Sequence, residues 1–572
     1  MAQHERWLIP LAIAQAALAA TVVALTNTEV PQRVELLLFQ HRPGALLMTA
    51  GFWGLALISM FAILVHSNTL VRLFWAVVVS VGGAVAWGFQ DAAKLELSIF
   101  DFLSFWEARH EVGRAAALYG HSFLWAGFVA IAGVIAFALP LISQAVGQRR
   151  LKRFTAILPV LPIIAIAALV YEKQGQGYFA MPKQFSQLSM AGLTAMKIGL
   201  KAPQPREALT LKPTTQRSSE KILFLVDESI RPDYLNALPG NPQTPGFASF
   251  AQHMVNYGPA ASGGICSNYS NAILRFAAAR ADLGGQINTN PTLWQYAKAA
   301  GYRTVYIDAQ AGNVKNSSHL QNFMTLDELQ FVDQTYSLSD AEPRDADFRL
   351  LDILEKELSG SGPVFIYANK QGAHFPYEMN YDTALAADAN SQGKVAEITT
   401  QSIIGTYRNA INRNVDQFFA KLSKQLPLNG LSMVYTSDHG QYFEQGVATH
   451  CVASGAQPQM ALVPLFAFSA NPYLQTALRQ GAEKSVGRAN HFQIAPTLME
   501  WMGFEPQVIA KLHPESLTKG SSEQAAFSHG DVFGTFAPTV EMQNIDLSKS
   551  YLEKADNTVA SISNADDQGQ AE

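Results

Sequence analysis

Cysteine is nearly absent from this chain: Cys266 and Cys451 are the two in 572 residues. That excludes a fold stapled by many disulfides and leaves room for a single bridge. Charge is also scarce. Asp, Glu, Lys and Arg make up 15% of the chain against 48% hydrophobic residues, where soluble domains carry about 25% charged residues. An excess of base is missing as well. The 41 Lys and Arg stand against 46 Asp and Glu, a formal net charge of −5, so the charge balance gives no footing for nucleic acid. No internal repeat is visible, and the chain is too long for one typical domain.

The apolar residues are concentrated at the start. Crossing a bilayer takes roughly 20 apolar residues for about 30 Å of hydrocarbon. Five runs meet that length, at about 7–27, 46–66, 70–89, 122–143 and 154–171. The first lacks a small-residue cleavage site and is followed by four more, so it reads as an anchor and not a removed signal. Arg149, Arg150, Lys152 and Arg153 lie between the fourth and fifth runs, and Arg72 follows the second. Basic clusters stay on the cytoplasmic side. Five crossings then put everything beyond about residue 172 outside, which for a bacterial inner membrane is the periplasm. The 90–120 loop mixes aromatics and charge and reads either as a helix lying at the interface or as a polar connector.

The expected division is a five-helix transmembrane domain over 1–175, an interfacial and linker segment over 176–218, an extracytoplasmic domain over 219–540 and a polar tail over 541–572. The last stretch, from about 553, is acidic and reads as disordered. Within the outer domain, apolar runs of strand length alternate with helical patterns. KILFLVDES, YRTVYIDAQ, PVFIYANKQ, LSMVYTSDHG and LVPLFAFSA read as strands. NPTLWQYAKAAG, DADFRLLDILEKEL and TYRNAINRNVDQFFAKLSKQL read as helices. Such alternation predicts an α/β fold with a mostly parallel central sheet, whose sites form beyond the carboxyl ends of the strands.

Polar residues of the right kind fall there. Asp227 and Glu228 end one strand, and Asp438 and His439 end another. Carboxylate oxygen with imidazole nitrogen suits a divalent cation, Zn²⁺ first and Mn²⁺ as the alternative. A Gly-rich turn, GGICSNYSNAILR, offers Cys266, Ser267 and Ser270 at the start of a helical pattern. Of these, Cys266 or Ser267 is the candidate nucleophile on the residues alone, and a plain turn is the bland alternative.

VDESIRPD resembles the E-[ST]-x-R-x-[DN] start of the lipid A phosphoethanolamine transferases, and also the strand-ending Glu-Ser of the lipoteichoic-acid synthases. SDHGQYFEQGVATHC resembles the transferase stretch D-H-G-E-S-L-G-E-N-G-x-Y-L-H-G, matching at Asp438, His439, Gly440, Glu444, Gly446 and His450. QGAHFPY, GTYRNAINRNVDQF and GYRTVYIDAQAG resemble further segments of those enzymes, and NHFQIAPTLMEWMGF resembles a late segment of the alkaline phosphatase and sulfatase superfamily. The segments occur in the same order over 221–504. The chain is identified on these motifs as a member of the membrane-anchored, sulfatase-like phosphoethanolamine and phosphoglycerol transferases.

The resemblance implies a set of roles. Glu228, Ser267, Asp438 and His439 would hold the metal. Ser267 would also be the nucleophile, favoured over Ser270 and Cys266; the chain lacks the C-x-P-x-R of formylglycine sulfatases and reads I-C-S-N-Y-S where the transferases read C-G-T-x-T-A. Metal coordination and a helix N-terminus both favour the alkoxide of a serine. His374 and His450 would face the substrate phosphate, one of them as general acid. His491, Asp227, Arg231, Lys370 and Glu444 have weaker claims, and for each a structural or solvated role is the plainer reading. Cys266 and Cys451 flank the two key motifs and would bridge if both loops meet at one site. The resembling transferases carry several disulfides, from which this chain departs.

The implied reaction moves a phosphoethanolamine headgroup from a membrane phospholipid, phosphatidylethanolamine being favoured, to an envelope glycan or glycolipid through a covalent intermediate on Ser267. A phosphoglycerol transferase and a phosphatase- or sulfatase-type hydrolase are the alternatives within the fold. A catalytically dead scaffolding protein is the alternative outside it, against which the retained Glu228, Ser267, Asp438 and His439 argue.

Overall fold

The computed structural model describes residues 2–551 except 94–95, 108–111, 147–151, 201–205, 215, 236–243, 311–325, 339, 384–399, 427, 445–448, 453–454 and 537–539. The chain divides into two compact units, residues 1–203 and 204–572.

In the first unit, four helices among the described residues are long and apolar enough to cross a membrane: Trp7–Thr26, Pro43–Val65, Thr69–Ala92 and Tyr119–Ala145. They coincide with the first four runs expected from the sequence. The expected fifth is not one helix of spanning length. It is split into Lys152–Ile157 and the 13-residue Val160–Glu172. Pro159 explains the break, since it lacks an N–H and its ring collides with the carbonyl four residues earlier. Arg149 and Arg150 lie outside the described residues. The 90–120 loop contains a short helix, Ile99–Glu107. Two buried polar clusters in this unit are paired, as apolar surroundings favour. Lys183 Nζ donates to Glu29 Oε2 and to Gln90 Oε1, both at 2.6 Å. Gln15 Nε2 donates to the carbonyls of Ala136 and Leu139, at 2.8 Å each.

The second unit is built on a seven-stranded sheet. Its strands are β1 (Lys221–Asp227), β2 (Val255–Ala261), β3 (Arg303–Asp308), β4 (Gln334–Ser337), β5 (Val364–Asn369), β6 (Leu431–Ser437) and β7 (Leu462–Ser469), in the order β2-β7-β6-β1-β5-β3-β4. From β6 to β4 every pairing is parallel, and β7 runs antiparallel to both β6 and β2. The alternation along β1 shows why its sequence is apolar throughout. Leu223 and Leu225 enter the core on one face, and Ile222, Phe224 and Val226 enter the core on the other, as in parallel sheets covered on both sides.

All five strands expected from the sequence are present. Two others, β2 and β4, carried weak signals. β2 contains Gly258 at φ +75° followed by Pro259, and its pairing with β7 shifts register between Asn256 and Pro259. β4 is a four-residue edge strand, QTYS, with no apolar alternation. Part of the segment read as a polar tail is folded: Met542–Asn544 pairs antiparallel with Ala526–Ser528. The Ser528 N–H in turn donates to the Gly263 carbonyl at 2.9 Å, backing the Gly-rich turn.

Candidate functional site

The site begins with a register. β1 and β6 are parallel neighbours with Asp227 opposite Ser437, so the residues that follow, Glu228 and Asp438, leave the sheet side by side. The Asp438 N–H donates to the Asp227 carbonyl at 2.9 Å, and the Ser229 N–H donates to Asp438 Oδ1 at 3.0 Å. Gly440 lets the chain turn immediately after His439. A Cβ there would stand 2.2 Å from the Gln459 carbonyl oxygen and 2.4 Å from that of Leu462, so no side chain fits.

The Gly-rich turn delivers the third component. Cys266 is the N-cap of the helix Ser267–Arg275 and is joined by a disulfide to Cys451, so the bridge is present and Cys266 has no free thiol. Ser270 lies one turn into the helix, buried, donating to the Asp438 carbonyl and lying 3.2 Å from His491 Nδ1. Ser267 alone of the three candidates reaches the acidic cluster. Its Oγ is 3.1 Å from Glu228 Oε2 and 3.1 Å from His439 Nε2.

Glu228, Asp438 and His439 are all buried, and one ligand atom from each lies within 4.8 Å of the others. His439 Nδ1 donates to the Gly440 carbonyl at 2.8 Å, which turns Nε2 toward the cluster, the nitrogen a metal would take. The electrostatics call for a cation. Burial opposes ionisation of Glu228, yet hydrogen bonding and charge from His439 hold its carboxyl well below the usual range. Burial and the Glu228 charge push Asp438 well above it. Burial works against a charged His439, but Asp438 and Glu228 raise it to about 9. Two buried carboxylates in contact cannot both stay ionised without a positive partner. Two carboxylates, an imidazole and a hydroxyl make a four-donor set that fits Zn²⁺.

The remaining residues singled out in the sequence fall in different places. The His450 ring stacks on His439, centroids 4.4 Å apart. Burial and the neighbouring His439 lower it to about 3, so it is neutral at ordinary pH. His374 donates from Nδ1 to the Phe375 carbonyl at 2.7 Å. His491 is buried and structural. Its Nδ1 accepts from the Gly263 N–H at 3.2 Å and its Nε2 faces Thr436 Oγ1 at 3.0 Å, so it props the Gly-rich turn. Arg231 pairs with Asp233 and donates to the Gln441 carbonyl, fully buried; its role is structural. Lys370 is not a solvated charge. It is buried, with Nζ 2.7 Å from Asp227 Oδ2 and 2.7 Å from the Asn414 carbonyl. Asp227 therefore braces Lys370 and also accepts from the Tyr435 hydroxyl at 3.0 Å. Glu444 is exposed and accepts from the Tyr442 hydroxyl. Gly446 lies outside the described residues.

Three residues at the site escaped sequence reasoning. Gln310 follows β3 and donates from Nε2 to Glu228 Oε2 at 3.0 Å. Ser229 donates to Glu228 Oε1 at 2.6 Å, and Gln441 Nε2 donates to Ser229 Oγ at 2.7 Å. Ser229 and Gln441 sat inside the quoted motifs beside Glu228 and His439. Gln310 likewise sat inside a quoted segment, GYRTVYIDAQAG, just past its strand.

Residues 220–504 match the family model described as Sulfatase. A search of curated proteins by sequence finds no match. Among solved structures, the integral membrane lipooligosaccharide phosphoethanolamine transferase A of Neisseria meningitidis is similar at 16% identity, covering 87% of this chain and 98% of its own, with a TM-score of 0.57. The C-terminal periplasmic domain of EcEptC from Escherichia coli is similar at 18% identity, covering 62% of this chain and 99% of its own, with a TM-score of 0.48. At such identities the likeness is one of fold, and only the first score is high enough to bear on it.

Proposed function

We propose that this protein, whose residues 220–504 match the Sulfatase family model and which has, among the described residues, four helices long and apolar enough to cross a membrane, is a metal-dependent transferase. It moves a phosphoethanolamine headgroup from a membrane phospholipid to an envelope glycan or lipid. The similarity to the Neisseria meningitidis phosphoethanolamine transferase supports the headgroup. The membrane half gives a reason for a lipid donor, and a catalytic domain in the periplasm requires that Lys152–Ile157 and Val160–Glu172 together make the fifth crossing. The observation that carries the reading is Ser267 Oγ, 3.1 Å from both Glu228 Oε2 and His439 Nε2 at the first residue of a helix.

In this reading Glu228, Asp438, His439 and Ser267 hold the cation, Zn²⁺ favoured over Mn²⁺. When bound, it supplies charge that stabilises the Ser267 alkoxide and the phosphoryl oxygens. Ser267 gives up its proton and attacks phosphorus. The phosphorus bond to the glycerol oxygen breaks, and diacylglycerol leaves after taking a proton. An acceptor hydroxyl then attacks the phosphoserine, its proton is taken by a base, and Ser267 is restored with the headgroup on the acceptor. His450, neutral and beside His439, is the base of the second step. His374 is assigned to the substrate phosphate and the first leaving group.

The test uses the full chain in vesicles containing phosphatidylethanolamine or phosphatidylglycerol labelled in the diacyl part. Release of diacylglycerol from the first, with a phosphoethanolamine adduct on Ser267 by mass spectrometry, is the expected result. Ser267→Ala should abolish both. Adduct on another residue, or release that survives Ser267→Ala, refutes the proposal; release from phosphatidylglycerol alone moves it to the phosphoglycerol class.

A further inference from the structure

Glu228 is tied to His450 by a continuous chain of side-chain hydrogen bonds. Ser229 Oγ is 2.6 Å from Glu228 Oε1, Gln441 Nε2 is 2.7 Å from Ser229 Oγ, and Gln441 Oε1 is 3.2 Å from His450 Nδ1. Ser229 and Gln441 are fully buried, so water does not compete for these groups. The direction of every bond follows from counting protons. A serine hydroxyl has one proton, and with the Gln441 amide on its other side it donates to the carboxyl oxygen of Glu228 at 2.6 Å. Ser229 Oγ can then only accept from Gln441, which must turn its NH₂ toward the serine. The amide oxygen is left facing His450. A carbonyl oxygen only accepts, so the imidazole carries a proton on Nδ1, and a ring with a single proton has Nε2 as its unprotonated nitrogen. Thr449 Oγ1, 3.0 Å from the same Nδ1, fits as a second acceptor of that N–H.

The backbone is shaped for this chain. Ser229 is held at φ +65°, a conformation costly for a residue other than glycine. Its N–H is taken by Asp438 Oδ1 at 3.0 Å, and its carbonyl accepts from the Tyr407 hydroxyl at 2.7 Å. These bonds fix the hydroxyl between Glu228 and Gln441.

We infer that Ser229 and Gln441 are positioning residues that transmit the orientation of Glu228 to His450 and hold it in the Nδ1–H tautomer, with Nε2 free to accept a proton. The inference rests on the reading of His450 as the base for the acceptor hydroxyl. A ring fixed in the other tautomer presents N–H where a lone pair is needed and cannot take that proton.

The test combines a spectroscopic and a kinetic readout on the full chain in detergent with zinc bound. With ¹⁵N-labelled histidine, the His450 signals, identified by their loss in His450→Gln, should show a protonated Nδ1 and a bare Nε2. Ser229→Ala and Gln441→Met should each convert this to a mixture of tautomers. Each should lower kcat about 10- to 100-fold, as loss of an orienting partner does, with KM and zinc content little changed. The double variant should lose no more than either single one, because both break one chain. Gln441→Glu keeps an acceptor for Nδ1 and should retain the tautomer, which covers the case in which Ser229→Ala fails to fold. A protonated Nε2 in the unaltered protein, or losses that multiply in the double variant, overturns the inference. The spectrum does not depend on turnover, so an inactive wild type with the Nδ1–H tautomer would refute the transferase reading and leave the tautomer assignment standing.

Discussion

Replacing Cys266 and Cys451 together by alanine is the perturbation with the clearest expected size. The bridge spans 185 residues of sequence. In the chain-entropy treatment of cross-links, a loop of that length restricts the unfolded chain by about 5 kcal/mol. The outer unit runs from residue 204. At about 2.1 cal/mol/K per residue over roughly 350 residues, its unfolding entropy is about 0.7 kcal/mol/K, so the full effect lowers its Tm by about 7 °C. Calorimetry of the full chain in detergent should therefore show the outer-unit transition shifted by several degrees, with reduction of the native protein giving the same shift. A functional effect accompanies it. The bridge joins the N-cap of the Ser267 helix to the residue after His450, and without it the two loops are linked locally by the Cys451 N–H bond to the Ile265 carbonyl, at 2.9 Å. The predicted signature is a fall in kcat larger than any change in KM. An outer-unit transition unmoved by both the double variant and reduction would refute the reasoning, since the loop-closure argument allows no cancellation between the two experiments.

Two further outcomes are expected. Lys370→Met leaves Asp227 and the neighbouring Asp347, 3.7 Å from Nζ, buried without their cation, a loss of about 3–5 kcal/mol; adding Asp227→Asn should recover part of it by urea denaturation, with no change in KM for either phospholipid, whereas a KM effect would point to Lys370 contacting the headgroup. For His491, burial lowers the folded-state value to about 3 against about 6.5 unfolded, so the unfolded chain binds more protons between those values. Its contribution is fully present above pH 6.5 and is lost as pH falls toward 3, about 2 kcal/mol by pH 5. His491→Gln should flatten that part of the stability–pH curve, and an unchanged slope would contradict the assignment of His491 as a neutral prop.

The legible parts of this protein are those written in periodicity and in strand-ending residues. β1, β3, β5, β6 and β7 are apolar runs of strand length, and both cores need them so, because each strand is covered on two faces. Glu228, Asp438 and His439 could be grouped from sequence because parallel neighbours deliver their carboxyl ends to one place. What escaped was set by tertiary context. The split at Pro159 turns a run of adequate apolar length into two short helices. β4 is held by its neighbour and not by its own pattern. Lys370 is a charge at a strand end like the others, and nothing local distinguishes it; its partners Asp227 and Asn414 lie 143 and 44 residues away.

The ambiguity among Cys266, Ser267 and Ser270 shows the limit most plainly, because all three sit within five residues and all carry suitable chemistry. Helix geometry separates them. Ser267 and Ser270 share a face at a spacing of three, but one turn of depth places Ser270 against the Asp438 backbone, where its hydroxyl proton goes to a carbonyl and away from the cluster. Cys266 stands just outside the helix, and its sulfur is consumed by Cys451. That bond removes the stronger nucleophile of the neighbouring pair. It also fixes the N-cap whose following residue presents Oγ to Glu228 and His439. In the proposed reaction the choice of serine over cysteine thus follows from the disulfide's position: the thiol that would compete with Ser267 is the one that holds Ser267 in place.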